Sequence, residues 1–339
     1  MKFKKLAAAL LTTAIVGTSV TPVFAAEYDA SGDPEATLIW SGNCVSSDTH
    51  AKAMHLFAEK VEEYSGGSVK CDVYTDSTLY SSENELQALI DNDMQLCYLS
   101  FPTMATQVPS YEMFASGYFW KNYDHMHETL NSDFASEKIY PAAEEAMGIK
   151  VLGSIYLGSR VINTRETEIN SYDDMKGLLL RMPNSDAWMQ LGSALGAEPT
   201  PLAFSELYTA LQTGAIEAQD NPLASNKNAG FHEVTKYMAI TNHVVDSLMI
   251  SVNAEAWDNL TEAQQMAVED AVADTIAWND SERLAEEEEM IKFFEDEGLT
   301  VTYPDIDEFK EKTTAYYFDN DLTGNWDMDL YEEVQALAK

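Results

Sequence analysis

Apolar positions in the first hundred residues recur with two different periods. Short apolar or alternating runs predict β-strands, and apolar residues spaced three and four apart predict helices. The predicted strands cover 38–40, 69–74 and 94–99, and the apolar helical faces lie at 54–61 and 82–90. Ser46-Ser47-Asp48 offers capping residues to the first helix, and Gly66-Gly67 ends it. Alternation of strand and helix predicts a parallel sheet with crossover helices.

A second set of elements follows a helical stretch at 135–147. Its strands are predicted at 150–156, 160–164, 178–181 and 215–219, and its helices at 171–176, 186–195 and 205–212. The pattern indicates a second α/β unit with its own core.

The last third of the chain contains segments too long for one unit. Residues 238–252 are β-rich over a length that a strand confined to one domain would not need. Thr261 and Gln264 form the pattern of a capping box at the start of a long helix. Its apolar stripe comprises Val268, Ala271, Val272 and Ile276. The acidic run 286–289 is interpreted as a solvated helix face.

The N-terminus differs from the rest of the chain. Lys2, Lys4 and Lys5 precede a mostly apolar stretch at 6–20, and a small-residue pattern ends near Ala25. This predicts a secretory signal peptide over 1–25 and a soluble periplasmic or otherwise extracytoplasmic mature protein. The first cysteine is Cys44, so a lipid anchor on the mature N-terminus is not indicated.

Composition narrows the function classes. The 339 residues carry 57 acidic against 20 basic side chains, a net charge of −37, which argues against nucleic acid as a partner. An apolar fraction of 45% is sufficient for a large core, and the length suggests two domains.

Three cysteines cannot all pair with one another. Cys71 shares the apolar side of its strand and is expected to be a buried free thiol. A bridge from Cys97 to Cys44 or to Cys71 is the alternative in an oxidising compartment.

Catalytic signatures are missing from the sequence. It contains no Gly-x-Ser-x-Gly elbow, phosphate-binding glycine loop, His-Glu-x-x-His or Cys-x-x-Cys motif. His125 and His127, followed by Glu128, are interpreted as a surface pair rather than a metal site. No catalytic residue, cofactor or metal is therefore assigned.

Two arginines stand out because basic residues are rare and both lie at predicted strand ends. Arg181 closes the run before Met182-Pro183-Asn184, and Arg160 follows Gly158-Ser159. Ligands of open α/β sheets bind at the carboxyl ends of strands, where a guanidinium can hold a carboxylate through two hydrogen bonds. An ordinary interdomain salt bridge is the alternative for either arginine.

Several segments resemble a known family. These are 174–184, which contains Gly177-Leu178-Leu179-Leu180-Arg181-Met182-Pro183, together with 196–214, Gln219-Asp220-Asn221-Pro222, Lys236-Tyr237 and 241–243. They resemble the solute-binding proteins of tripartite ATP-independent periplasmic (TRAP) transporters, the DctP family, and its sialic-acid and sugar-acid branch in particular. The resemblance runs from about residue 38 to 303.

The resemblance implies an α/β, periplasmic-binding-protein-like fold: two domains around a ligand cleft, with crossing strands and a long spanning helix. It divides the chain into domain I (26–157 with 247–286) and domain II (158–246 with 287–339). It also implies that Arg181 anchors a ligand carboxylate with Asn221, that Phe204 packs on the ligand, and that Arg160 is a second arginine at the site. The remaining implied ligand contacts are Asn184 and Asn43.

Two departures from the sialic-acid branch bear on the ligand. Ser100 stands where an acidic ligand contact is expected, and Ser81-Ser82 replaces an acidic pair, which argues against sialic acid itself. Asp220 and Ala218 stand where Glu and Gly are usual. Two arginines favour a sugar acid such as a uronate, or a dicarboxylate.

The expected function is capture of a small carboxylate by a monomeric binding protein, with hinge closure and delivery to the membrane subunits of a TRAP permease. A ligand sensor for a membrane receptor is the alternative, and a secreted hydrolase using two acidic residues is a third hypothesis.

Overall fold

The computed structural model describes residues 28–338, apart from the side chain of Glu288. The predicted signal peptide, residues 1–25, lies outside the described residues.

Strands and helices alternate through most of the described chain. The strands are β1 (Ala36–Ser41), β2 (Val69–Tyr74), β3 (Leu96–Leu99), β4 (Ile149–Thr164), β5 (Leu179–Met182), β6 (Glu198–Pro201), β7 (Ala218–Pro222), β8 (Tyr237–Asn253) and β9 (Thr300–Thr302). The helices are α1 (Thr49–Tyr64), α2 (Glu85–Ile90), α3 (Phe101–Met104), α4 (Tyr123–Leu130), α5 (Asp133–Lys138), α6 (Pro141–Met147), α7 (Asp186–Ala194), α8 (Leu207–Thr213), α9 (Leu223–Asn228), α10 (Ala254–Asp258), α11 (Glu262–Asp296), α12 (Ile306–Asp319) and α13 (Met328–Leu337).

Neighbouring strands of the sheet are hydrogen-bonded in the order β2-β1-β3-β8-β4-β7-β5-β6, and β9 pairs in parallel with the first three residues of β8. β1 pairs in parallel with β2 and β3, and β5 pairs in parallel with β6 and β7. Between these two parallel units run β4 and β8, which pair antiparallel along most of their lengths. The fold therefore consists of two α/β lobes crossed by the same two long strands, as expected for a two-domain binding protein.

α11 is 35 residues long, and its two halves pack in different hydrophobic cores. Val268 and Val272 pack with Trp40 of β1, whereas Phe294, six turns later, packs with Val161 of β4. The predicted capping box is present: Thr261 Oγ1 accepts from Gln264 N at 3.2 Å, and Gln264 Oε1 accepts from Thr261 N at 3.1 Å. The long spanning helix is confirmed.

The prediction of two strands at 150–156 and 160–164 is wrong, because β4 is continuous from Ile149 to Thr164. Its register against β8 shifts at three places, one of them between Tyr156 and Gly158. Gly158 has φ of 125°, and a Cβ on it would lie 2.6 Å from Cβ of Pro222. A glycine is therefore required at this point of β4.

Other boundaries also differ from the predicted ones. The helix expected at 135–147 is two helices, α5 and α6, because Pro141 cannot donate to the preceding turn. β7 lies at Ala218–Pro222 rather than 215–219. β6 and β9 were not predicted, since β6 reads Glu-Pro-Thr-Pro and β9 has only three residues.

The acidic run on α11 is not simply a solvated face. Glu286 Oε1 accepts from Thr49 Oγ1 at 2.6 Å, and Glu287 Oε1 accepts from Tyr156 Oη at 2.9 Å and Ser159 N at 3.0 Å. Both carboxylates are half-buried, so the prediction is wrong for these two residues. They bind α11 to the first residue of α1 and to the middle of β4 instead.

The prediction of a surface pair of histidines is also wrong for His125, which is buried. Its Nδ1 accepts from Lys121 N at 3.2 Å and its Nε2 donates to Val334 O of α13 at 2.9 Å. His127 is half-buried, with Nδ1 3.0 Å from Asp280 Oδ2. α13, which the prediction assigns to domain II, therefore packs on α4.

All three cysteines are free thiols, so neither alternative bridge is present. Cys44 and Cys97 are buried, and Cys71 is only partly so. No helix within residues 28–338 has the length and apolar character of a membrane span. In the same residues, no three His, Cys, Asp or Glu side chains are grouped to hold a metal ion.

Candidate functional site

A cavity of about 290 Å³ lies at the carboxyl ends of the strands from both lobes. Its lining includes all seven residues selected from the sequence: Asn43, Ser100, Arg160, Arg181, Asn184, Phe204 and Asn221. Six lie in or just after parallel-paired strands, whose carboxyl ends line the ligand crevice in open α/β sheets, and Arg160 lies within the long strand β4. The structure thus brings the seven together, and their contact with a ligand stays a prediction.

Arg181 lies in β5 and is 3% exposed. Its Nε donates to Leu202 O at 2.8 Å, and within residues 28–338 its two terminal nitrogens donate to no protein acceptor. Burial lowers the pKa of Arg181 to about 10, and neighbouring Arg160 acts in the same direction. Asp220 and Glu83 partly oppose this shift. Arg181 is thus a buried cation whose outer donors remain available in the cavity.

Arg160, in β4, has most of its donors engaged by acids. Its Nε donates to Asp220 Oδ2 at 2.7 Å, and its Nη1 donates to Asp246 Oδ2 at 2.8 Å. Its Nη2 donates to the backbone oxygen of Asp220 at 2.6 Å and to Oδ1 at 3.1 Å. The guanidinium lies 4.5 Å from the ring of Trp188. These contacts are a salt bridge, but one within predicted domain II (158–246) rather than between domains, and they leave one hydrogen on Nη1 for a ligand.

The two carboxylates that bond Arg160 have pKa values shifted in opposite directions. Burial would raise the pKa of Asp220, but Arg160 and His243 lower it below the ordinary range, and His243 Nε2 lies 3.1 Å from Oδ2. Burial raises the pKa of Asp246, with Arg160 opposing. Burial would lower the pKa of Arg160, but the two acids raise it above its ordinary value. The cluster therefore keeps Arg160 charged and fixed in orientation.

Asn221 is oriented by other amides. Its Nδ2 donates to Gln219 Oε1 at 2.6 Å, and Gln219 Nε2 donates to Asn163 Oδ1 at 3.2 Å and Asn226 Oδ1 at 2.5 Å. Asn226 Nδ2 in turn donates to Asn221 O at 3.0 Å. A buried network with every member bonded holds a side chain in one rotamer, so Asn221 is preorganised at the cavity wall.

The remaining predicted residues are less constrained. Phe204 is half-buried against Phe231, with ring centroids 5.7 Å apart. Ser100 is the N-cap residue that precedes α3, and its Oγ lies 2.9 Å from Thr103 Oγ1. Asn43 is half-buried and Asn184 is exposed, both on loops after strands. These four supply an aromatic face and three polar groups around the arginines.

Sequence reasoning missed a group of charged residues on the first lobe. Asp48 and His50 line the cavity beside fully buried Arg283 of α11. Arg283 Nη2 donates to Asp48 and lies 2.7 Å from His50 Nδ1. Burial would raise the pKa of Asp48, but His50 and Arg283 lower it below the ordinary range. Asp48 was interpreted only as a helix cap, and nothing in the sequence relates it to a residue 235 positions away.

Glu85, the first residue of α2, was also missed. It lines the cavity and is 5% exposed, and its Oε1 is buried without a hydrogen-bond partner among residues 28–338. Burial raises the pKa of Glu85 to about 8, and Glu83 acts in the same direction. The lining arginines therefore lie on β4 and β5, with Asp246 beside Arg160, whereas the other lining acids, Asp48, Glu83 and Glu85, lie between β1 and β3.

Comparison with known proteins relates this geometry to a family. Residues 41–320 match the sequence model of DctP, described as bacterial extracellular solute-binding protein, family 7. The sialic acid-binding periplasmic protein of Vibrio cholerae is 32% identical over 269 residues, 79% of this chain and 83% of that protein. The C4-dicarboxylate-binding periplasmic protein of Rhodobacter capsulatus is 30% identical over 268 residues, 78% of this chain and 80% of that protein.

A solved structure agrees with the fold. The TRAP periplasmic solute-binding protein of Roseobacter denitrificans, with bound 3-deoxy-D-manno-oct-2-ulosonic acid, is 33% identical, with a TM-score of 0.85 over 89% of this chain and 99% of that one. Family match, identity and fold agree over most of the chain, which therefore belongs to the DctP family of bacterial extracellular solute-binding proteins.

Proposed function

We propose that this protein binds a small sugar acid or dicarboxylate in the cavity between its lobes, with Arg181 holding a ligand carboxylate. As a family member it is an extracytoplasmic solute-binding protein of the TRAP type, which delivers its organic acid to a TRAP permease. That it performs no covalent chemistry is part of the proposal.

The observation that carries the proposal is the state of the Arg181 guanidinium. It is buried in a cavity of a small ligand's size, and only its Nε is used by the protein. The two terminal nitrogens present the planar donor fork that a carboxylate accepts through two charge-assisted hydrogen bonds. A ligand carboxylate would also replace the water that burial has removed from this cation.

The other cavity residues fit subsidiary roles. Asn221, held by its amide network, would contact the same carboxylate, and Phe204 would pack on the ligand body. Arg160 would contribute its remaining hydrogen on Nη1 and its charge, while Asn184, Asn43 and Ser100 would contact ligand hydroxyls.

Relatives bind acids of this class. The Roseobacter denitrificans protein holds an eight-carbon sugar acid, and a second protein of that organism, 25% identical with a TM-score of 0.81, holds L-galactonate. The C4-dicarboxylate-binding relative indicates why a dicarboxylate belongs in the proposal. Sialic acid is disfavoured here by Ser100 and Ser82 at positions where acidic residues are expected.

We also propose that the lobes close about the point where β4 and β8 pass between them. The predicted division between 26–157 with 247–286 and 158–246 with 287–339 falls at the pairing of Gly158 with Asp246. Gly158 lies beside a register shift, where a strand pair bends more readily than in regular sheet. Closure would enclose the ligand and change the outer surface offered to the permease.

Calorimetric titration of the purified protein with D-galactonate, D-glucuronate, 3-deoxy-D-manno-oct-2-ulosonic acid and succinate tests the proposal. At least one acid should bind, and Arg181→Ala should weaken it by about 30- to 4000-fold, from about 2 to 5 kcal/mol for an unpaired desolvated charge. Arg165→Ala, which removes a second-lobe arginine outside the cavity lining, is the matched control and should bind as the parent does. Absence of binding by all four acids, or equal binding by Arg181→Ala, would refute the proposal.

A further inference from the structure

Glu85 is unusual among the acids of the cavity because the protein gives it no partner. Asp48 is paired with Arg283 and Asp246 with Arg160, whereas Glu85 Oε1 is buried with no hydrogen bond among residues 28–338. Buried polar groups in folded proteins are nearly always satisfied. An exception that is 95% buried and lines a ligand cavity indicates that the missing partner comes with the ligand.

The charge state of Glu85 decides which ligand group can be that partner. Burial and Glu83 raise its pKa to about 8, and the other titratable groups with which it interacts are the thiols of Cys44 and Cys97. None of these neighbours is a cation. At neutral pH Glu85 is therefore mainly a neutral carboxylic acid, with one O–H to donate and oxygens that accept.

The position of the cations strengthens this assignment. Among the described residues that line the cavity, the only Lys or Arg side chains are Arg160 and Arg181, both on second-lobe strand segments. Glu85 lies on the first lobe with Asp48 and Glu83. A ligand anchored by one carboxylate on Arg181 would thus bring its other end to a surface without a free cation. A hydroxyl can both donate to and accept from Glu85, whereas a second carboxylate could only accept the one Glu85 O–H and would lie beside the acids Asp48 and Glu83.

Resting on the proposed carboxylate contact at Arg181, we propose that Glu85 is a specificity residue that binds a hydroxyl of the ligand and selects polyhydroxylated monocarboxylates, such as aldonates and uronates, against dicarboxylates. Glu85 acts on the bound ligand by direct contact and takes no part in holding the lobes together.

The selectivity can be measured with ligand pairs that differ only at one end. D-Gluconate and D-glucarate, or D-galactonate and galactarate, differ in having a hydroxymethyl group or a carboxylate at carbon six. Titration at pH 6.5 of the parent, Glu85→Gln, Glu85→Met and the control Glu59→Gln is the experiment. Glu59 lies on the exposed face of α1 in the same lobe, so its substitution removes an acid without touching the cavity.

The parent should prefer the monocarboxylate of at least one pair. Glu85→Met should lose about 10-fold in affinity for that monocarboxylate, the effect of one lost hydrogen bond, with no loss for its dicarboxylate partner. Glu85→Gln, which can still donate and accept, should retain most of the preference, and Glu59→Gln all of it. Thermal unfolding of both Glu85 variants at or above the parental temperature would show that their folds are intact.

An unchanged ratio in Glu85→Met, or a parent that prefers the dicarboxylates, would overturn the inference about Glu85. Acids that bind in an Arg181-dependent manner with an unchanged ratio would leave the proposed function standing. Absence of binding by every acid would instead overturn the proposed function, and this inference with it.

Discussion

Asp220 and Asp246 both bond the guanidinium of Arg160, yet their removal should have unequal effects on stability. The changes are Asp220→Asn and Asp246→Asn, which keep side-chain shape and remove one negative charge each. Arg160 carries one positive charge against two buried carboxylates. Asp246→Asn therefore leaves the Arg160–Asp220 ion pair, and Asp220→Asn leaves the Arg160–Asp246 ion pair.

The contacts indicate which pair is stronger. The Asp220 carboxylate accepts from Arg160 Nε at 2.7 Å and Nη2 at 3.1 Å, and contacts His243 Nε2 at 3.1 Å. An asparagine there would turn an amide toward one of these donors. Asp246 accepts one bond from Arg160, at 2.8 Å, and one from Ser247 N at 2.9 Å. Its raised pKa shows that burial outweighs the attraction of Arg160.

Asp220→Asn removes two charge-assisted bonds and leaves Arg160 only its single bond to Asp246, so the expected loss approaches that of a broken buried ion pair, about 3 to 5 kcal/mol. Asp246→Asn keeps Arg160 balanced one to one with Asp220, and its expected cost is about 1 kcal/mol for the bond from Ser247. Because the pKa of Asp220 is lowered, its contribution is full above about pH 4 and fades as the solution becomes more acidic. The loss of stability in Asp220→Asn relative to the parent should therefore become smaller as the pH falls.

Urea unfolding followed by tryptophan fluorescence at neutral pH, and again near the acid limit of stability, measures both effects. Trp188, which lies against Arg160, is one of the six tryptophans that contribute to this signal. Equal losses in the two variants, or a larger loss in Asp246→Asn, would refute the reasoning.

Two further predictions concern Gly158 and Glu85. Gly158→Ala should cost at least about 1 kcal/mol more than Gly67→Ala in urea unfolding, because both glycines have positive φ but only Gly158 would bring a Cβ against a neighbour; equal costs would contradict this. Because the pKa of Glu85 is raised to about 8, its protonated form favours the folded state, and this advantage is complete at acid pH and lost as pH rises through the folded pKa. Relative to Glu85→Gln, the parent should lose up to about 1.4 kcal/mol of stability per pH unit between about pH 5 and 8, and parallel stability profiles would exclude this.

Periodicity in the sequence predicted the elements whose apolar residues face one core. β2 and α7 were placed in this way, and the start of α11 was placed by its capping box. The failures have local causes: the two prolines of β6 hide a strand, and the glycine inside β4 resembles a break although it only shifts the register. β7 was placed early because its second half, Asp220-Asn221-Pro222, consists of residues that are rare in strands.

Two arguments from the sequence predicted the site: the position of residues at strand ends and the family resemblance. Arg181 and Arg160 follow from both, the other five selected residues follow from the resemblance alone, and the structure places all seven in one cavity. The partners of Arg160 were not assigned, because Asp220 and Asp246 lie 60 and 86 residues away and look like any of 57 acids. Glu85 was lost in the same way, since burial of one acid among many leaves no local signal.

The lobes share more than a hinge, because the polypeptide passes between them in β4, in β8 and in α11. Each passage is an uninterrupted secondary-structure element, so melting one lobe would remove pairing and packing surfaces from the other. The molecule should therefore behave as one cooperative unit in unfolding rather than as two domains in series. Ligand energy gained at the cavity then stabilises the whole polypeptide, including segments distant from the ligand.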